Sequence, residues 1–174
     1  MEQADRKWTY KDSIRNNLFN SFYIVSSLSN GSKIDRNLLI TSNANKTTHL
    51  SEILNKTKSL IFYYPKISCC SCFETELGLM RTNFPVTIWN NLILVTDEDD
   101  FEKLLMIKKS YGLNNEIYSM KNRKFGFPAD SLDIPYLFIL DSSFTAKHLF
   151  IPIKGDESLS VEYYNRLSRI LWKN

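Results

Sequence analysis

Leu60-Ile61-Phe62-Tyr63-Tyr64-Pro65-Lys66-Ile67-Ser68-Cys69-Cys70-Ser71-Cys72 is the stretch on which the reading of this chain turns. Five apolar or aromatic residues in succession, 60–64, suit a short strand covered on both faces. Pro65 has no N–H to give a ladder and ends that strand. From Phe73 the apolar positions Phe73, Leu77, Met80 and Phe84 return at helical spacing, with Glu74, Glu76 and Arg81 between them. Cys69 and Cys72 are therefore expected to bracket the first turn of an amphipathic helix.

That position matters for thiol chemistry. Unpaired backbone N–H groups and the macrodipole at a helix N-terminus favour a thiolate over a thiol. In such motifs the first cysteine can fall from about 8.5 to between roughly 3.5 and 7.5. The second sulfur, one turn on, can close a small disulfide ring by exchange. Lys66, upstream, either adds positive charge or is simply solvated.

Composition sets the outer bounds. A chain of 174 residues, 43% hydrophobic and 13% aromatic, can bury one sizeable core. A net charge of +3 is too small to argue for nucleic acid, and the basic cluster Lys121-Asn122-Arg123-Lys124 reads as a solvated loop. No apolar run approaches the roughly 18 residues of a membrane span. The glycines form no phosphate-cradling or dinucleotide pattern. All three cysteines fall within four positions, which excludes a distributed disulfide framework and points to chemistry or metal. The start Met1-Glu2-Gln3-Ala4-Asp5 is too polar for a signal peptide, leaving a cytosolic chain or one whose leader has been removed.

Outward from the cysteines, residues 1–37 read as an extension of mixed structure. Trp8, Tyr10, Ile14, Leu18 and Phe22 drift along a helical face, while Phe22-Tyr23-Ile24-Val25 could equally be a strand. Leu38–Thr41 reads as a strand, Asn43–Lys46 as a turn, and Thr48 or Ser51 as the cap of a short helix. Leu92–Val95 is a second buried strand; Asp97-Glu98-Asp99-Asp100 then reads as acidic capping of a helix through Leu104 and Tyr111, stopped by Gly112. Residues 117–133 read as irregular. Tyr136–Leu140 is the strongest strand, Ala146–Ile153 its antiparallel partner at an edge because of Pro152, and a final helix carries Tyr163, Tyr164, Leu167, Ile170 and Leu171, capped by Ser158 or Ser160. All-apolar strands alternating with helices imply parallel pairing.

A Cys-x-x-Cys after a central strand, an Xaa-Pro heading a later strand, then a hairpin and a terminal helix resemble the thioredoxin-like superfamily. The resemblance covers roughly residues 38–172. It implies an α/β thioredoxin-like fold, a central mixed sheet flanked by helices, with residues 1–37 as an extension and 38–174 as the domain. It also implies that Ile134-Pro135 is the cis-proline site that holds extended substrate. Pro135 stands 63 positions after Cys72, and the room for an extra strand–helix unit looks like the TlpA-like and alkyl hydroperoxide reductase/thiol-specific antioxidant branch of bacteria. The motif departs from thioredoxin in its longer approach loop, its lack of a preceding tryptophan, and Cys70-Ser71 as the middle dipeptide.

The expectation is a thiol–disulfide oxidoreductase with Cys69 as nucleophile, Cys72 as resolving thiol, Cys70 as an auxiliary thiol and Ile134 and Pro135 shaping the groove. It implies no cofactor or metal, and as partners protein thiols or disulfides and an upstream electron donor or acceptor, in the periplasm or cell envelope, the alternative being cytoplasmic. Three other readings compete. A binding module would not turn over its thiols. A copper or zinc site would pool the cysteines with His148 or His49. A peroxiredoxin would want Pro-x-x-x-Thr/Ser-x-x-Cys, in which Cys69 here occupies the hydroxyl position.

Overall fold

A computed structural model describes residues 2–54, 58–66, 70–98, 101–114, 116–121 and 123–172. The long helix α1 (Glu2–Ser29) precedes a hairpin, β1 (Leu39–Ser42) and β2 (Thr47–His49), and the single turn α2 (Leu50–Ile53). Then come β3 (Lys58–Tyr64), α3 (Cys70–Asn83), the short α4 (Val86–Trp89), β4 (Ile93–Thr96), α5 (Glu102–Tyr111) and β5 (Ile117–Ser119). A 3-10 helix (Pro128–Leu132), β6 (Tyr136–Asp141), β7 (Ala146–Phe150) and α6 (Glu157–Trp172) complete the fold.

Among the described residues seven strands form one mixed sheet in the order β2-β1-β5-β4-β3-β6-β7. β3 pairs in parallel with β4, and β4 with β5; β6 runs antiparallel to β3, and β7 to β6. The unbroken apolar run of β3 follows from burial on both sides. Leu60, Phe62 and Tyr64 point into the layer covered by α3, α5 and α6, whereas Ile61 and Tyr63 point into the opposite layer. β6 alternates likewise, with Leu137 and Ile139 facing the first layer and Tyr136, Phe138 and Leu140 the second. A two-residue period thus carries two cores.

Several expectations need correction. Of the two readings left open for residues 22–25 the helix holds: Phe22 and Val25 pack against the second core, while Tyr23 and Ile24 are 66% and 56% exposed. That is a three-to-four-residue rhythm, not alternation. The buried Ser29 closes α1, its Oγ accepting the Ala129 N–H at 3.2 Å. The segment 117–133 is not wholly irregular: Ile117 and Ser119 turn inward on β5, and the 3-10 helix follows.

At the far edge, β7 ends at Phe150, so Pro152 lies just beyond the strand. The β6–β7 register slips between Leu137 and Ile139, and His148 sits there at φ +54°. α6 begins at Glu157, which makes Ser158 and Ser160 helical residues and not caps; Ser158 Oγ donates to Asp156 at 2.8 Å just ahead of the helix. His49, not Thr48 or Ser51, stands at the start of α2, and its N–H reaches Glu52 at 3.3 Å. Gly112 ends α5 in the left-handed region at φ +64°.

Candidate functional site

The cysteine segment leaves the sheet at the carboxyl end of β3, beside the carboxyl end of parallel β4. Crevices outside such strand ends are where open α/β sheets bind their ligands. Cys69 lies outside the described residues. Cys70 opens α3, and Cys72, its third residue, is partly buried. Phe73, 1% exposed, fixes the start of the helix: its ring centroid lies 5.0 Å from that of Phe62 and 4.4 Å from that of Tyr64. The aromatic end of β3 thereby seats the turn that carries Cys72.

The corner between β3 and the cysteines is held from β4. Pro65 is buried, and Lys66 turns outward. The Lys66 N–H donates to Asp97 Oδ1 at 2.5 Å, and its ammonium lies 3.2 Å from Glu98 Oε1. The acidic run after β4 was expected to cap α5. Instead Phe101 stands at the N-cap with no side-chain bond, and Asp97 and Glu98 reach back to Lys66; Asp99 and Asp100 lie outside the described residues. Physically, a free backbone N–H at a strand exit competes for the same carboxylate that a helix end would use.

Beneath this corner lies Tyr63, 1% exposed. Burial first, then the Asp97 charge, push its phenol far above the ordinary tyrosine range. Asp97 is near enough to act on it both by charge and as a loose acceptor for the hydroxyl, short of full hydrogen-bonding geometry.

Across the sheet, Tyr63 pairs with Tyr136, the first residue of β6. One step further along that antiparallel register, Pro135 stands opposite Tyr64; it is buried, and Ile134 is half-buried. No peptide bond among the described residues is cis, so Ile134–Pro135 is trans, against the expectation drawn from the resemblance. Tyr136 donates its hydroxyl to Asp130 Oδ1, and Asp130 Oδ2 accepts the Gly126 and Phe127 N–H groups at 2.6 and 2.8 Å. Lys124, read as part of a solvated loop, spans the Asp130 carbonyl at 2.8 Å and Asp133 at 2.5 Å.

Glu76 is the second group that sequence reasoning missed. It was placed among the polar residues between apolar positions, yet it is only 5% exposed. Its carboxylate accepts from Ser160 Oγ at 3.0 Å and from the Tyr164 hydroxyl, joining α3 to α6. Burial raises its pKa, and the two hydroxyl donors oppose that shift. The available signal was its spacing, three residues after Phe73 and one before Leu77, on the buried face. Side chains of a helix lean toward its N-terminus, so Glu76 leans toward the turn of Cys72.

The two histidines are far apart. His49 belongs to β2 at one edge of the sheet and the exposed His148 to β7 at the other. They cannot join the cysteines in one site together. Among the described residues no three His, Cys, Asp or Glu groups converge as a metal site.

Neither a protein-family model nor a curated protein matches the chain. Solved structures do. The chain is similar to the thioredoxin domain of a thiol-disulfide oxidoreductase from Bacteroides vulgatus, at 13% identity and TM-score 0.55, covering 82% of this chain and 98% of that one. It is similar to peroxiredoxin Q of Xanthomonas campestris at 12% identity and TM-score 0.57, with 82% and 99% covered. A thiol peroxidase from Chromobacterium violaceum aligns at 14% identity and TM-score 0.53, over 83% and 86%. The fold is thioredoxin-like, with the seven-stranded mixed sheet and flanking helices described above.

Proposed function

We propose that this chain is a thiol–disulfide oxidoreductase exchanging a Cys69/Cys72 dithiol with protein partners. The observation that carries the proposal is Cys72 in the first turn of α3, at the carboxyl end of parallel β3 and β4, with Pro135 at the head of neighbouring β6. In the reductive direction the Cys69 thiolate attacks one sulfur of a partner disulfide. The partner's second sulfur leaves as a thiolate and takes a proton. Cys72, losing its proton, then attacks the Cys69 sulfur, closes the internal disulfide and releases the first partner sulfur. Two electrons pass to the partner, and an upstream dithiol protein restores them. Ile134 and Pro135 line the groove for the partner's backbone, and Cys70 is an auxiliary thiol able to trap a mixed disulfide.

The catalytic unit is residues 38–174, with 1–37 as an extension packed on it, and the working compartment is the cell envelope. The test is a Cys72→Ser variant expressed in the native host. It should accumulate mixed disulfides through Cys69 that reductant releases, and Cys69→Ser should accumulate none. Absence of adducts together with no reduction of insulin disulfides by the wild type would sink the proposal.

One observation favours a second reading. Pro65 stands seven residues before Cys72, and the structural neighbours include a peroxiredoxin and a thiol peroxidase. Cys69→Ser would then supply the missing hydroxyl. Sustained peroxide consumption by that variant with a thiol donor selects a peroxidase centred on Cys72.

A further inference from the structure

A cleft of about 560 Å³ lies between α1, the end of β7 and the first turns of α6. That is the size of a small-molecule site. None of the described residues read as the dithiol site lines it. Leu149, Ile151 and Ile153 make its lining apolar. Two stacked aromatic pairs add to them from opposite sides. Phe19 and Tyr23 of α1 have ring centroids 6.4 Å apart and planes 14° from parallel; for Phe150 and Tyr163 the values are 4.2 Å and 12°. Three groups able to carry charge share the lining: His148, Glu162 and Arg166. Apolar walls around a few polar groups are what ligand sites present.

His148 is held at this cleft with φ +54°, at the slip in the β6–β7 register. The Tyr163 hydroxyl donates to its carbonyl, and the next N–H, that of Leu149, donates to Asn30 Oδ1 at 2.9 Å. Strained residues and bulges pinned in this way gather at functional sites. We propose that the cleft binds a flat aromatic molecule carrying one negative charge, its rings against the Phe19–Tyr23 and Phe150–Tyr163 pairs and its anionic group at His148 and Arg166. The surrounding charges fit that occupant. Burial first, then Lys147 and Lys58, hold His148 below its ordinary range, so the imidazole offers a neutral N–H in a positive field. Asp141 answers Lys147 at 2.7 Å. Glu162 takes the Arg166 Nη2 at 2.5 Å, but the Arg166 side chain is 74% exposed, and a guanidinium has five N–H donors in a planar fork. A carboxylate or sulfonate is the group that such a fork binds most strongly.

The experiment titrates the full chain with anilinonaphthalene sulfonate by fluorescence, beside phenylnaphthylamine, which has the same rings and no sulfonate. The sulfonate should fill one site and bind about tenfold more tightly than the neutral probe. Glu162→Gln removes the competing carboxylate and should tighten the sulfonate by about threefold, and Arg166→Gln should weaken it by at least as much. Phenylnaphthylamine should bind both variants as it binds the wild type. His148→Gly eases the backbone, so its melting point should hold or rise while its affinity for the sulfonate falls. A histidine of merely structural importance would leave the titration unmoved. Adhesion to a loose apolar surface predicts equal affinities for the two probes and indifference to the charge variants. Either of those results overturns the inference, as does a wild type that binds neither probe. If His148→Gly does not fold, Glu162→Gln and Arg166→Gln, both on exposed positions of α6, decide the matter.

Discussion

Glu76 turns burial into a measurable pH dependence. Its pKa is raised in the fold, mainly by burial, so the fold favours the protonated carboxyl. By linkage, the stability it confers is fully present below the ordinary glutamate range and is lost as pH rises through the raised value. Glu76→Gln, which cannot ionise and keeps an acceptor for Tyr164, should therefore match the wild type in acid and exceed it at neutral pH; melts across the pH range would measure the gap. Glu76→Ala strands the Ser160 and Tyr164 hydroxyls inside the core and should cost about 2–4 kcal/mol by denaturant titration. The sign of the glutamine substitution separates a stabilising pin from a strained one.

Among the elements, β3 and α3 were legible because the spacing of apolar residues changes from continuous to helical across Pro65. The place of Cys72 in the first turn of α3 was legible for the same reason, as were β4, β6 and the Gly112 stop. α1 was not. Leu18, Ile24 and Leu28 are 41%, 56% and 65% exposed, so apolar residues appear on its outer side as well and blur the stripe. Asp97 and Glu76 were missed because a carboxylate near a helix end or on a helix face looks the same in sequence whether it meets water or a buried donor. The trans bond at Pro135 was beyond any dipeptide. Two element-scale predictions follow from the packing. Ser29→Ala removes the acceptor of the Ala129 N–H and should lose about 1–2 kcal/mol in denaturant midpoint analysis. His148→Gly relieves a left-handed backbone at the β7 bulge and should gain up to about 1 kcal/mol.

At the scale of the whole molecule, α1 and the residue that follows it are tied to the rest of the fold by polar contacts among the described residues. Arg15 Nη2 lies 2.6 Å from Asp156, Ser29 meets Ala129, and the Leu149 N–H donates to Asn30 Oδ1 at 2.9 Å. The ion pair adds little, since Arg15 is largely exposed. Phe22 and Val25, packed on the second core, add more. A chain beginning at Leu38 should thus remain thioredoxin-like but lose about 3 kcal/mol or more, which chemical denaturation of both lengths would register. That outcome would make the proposed boundary one of sequence and not of stability.

The paired aromatic residues of β3 and β6 have an optical consequence. Tyr63, Tyr136 and Tyr164 are at most 1% exposed, and burial holds each phenol far above its ordinary range, while Tyr118 is raised only to about 12. In an alkaline absorbance titration, phenolate should therefore appear in two waves. Tyr118 colours in the first wave. Tyr63, Tyr136 and Tyr164, with Tyr163, whose phenol burial also pushes far up, colour only as the sheet comes apart, in step with the loss of far-ultraviolet ellipticity, so the chain carries an intrinsic, label-free signal for its own opening.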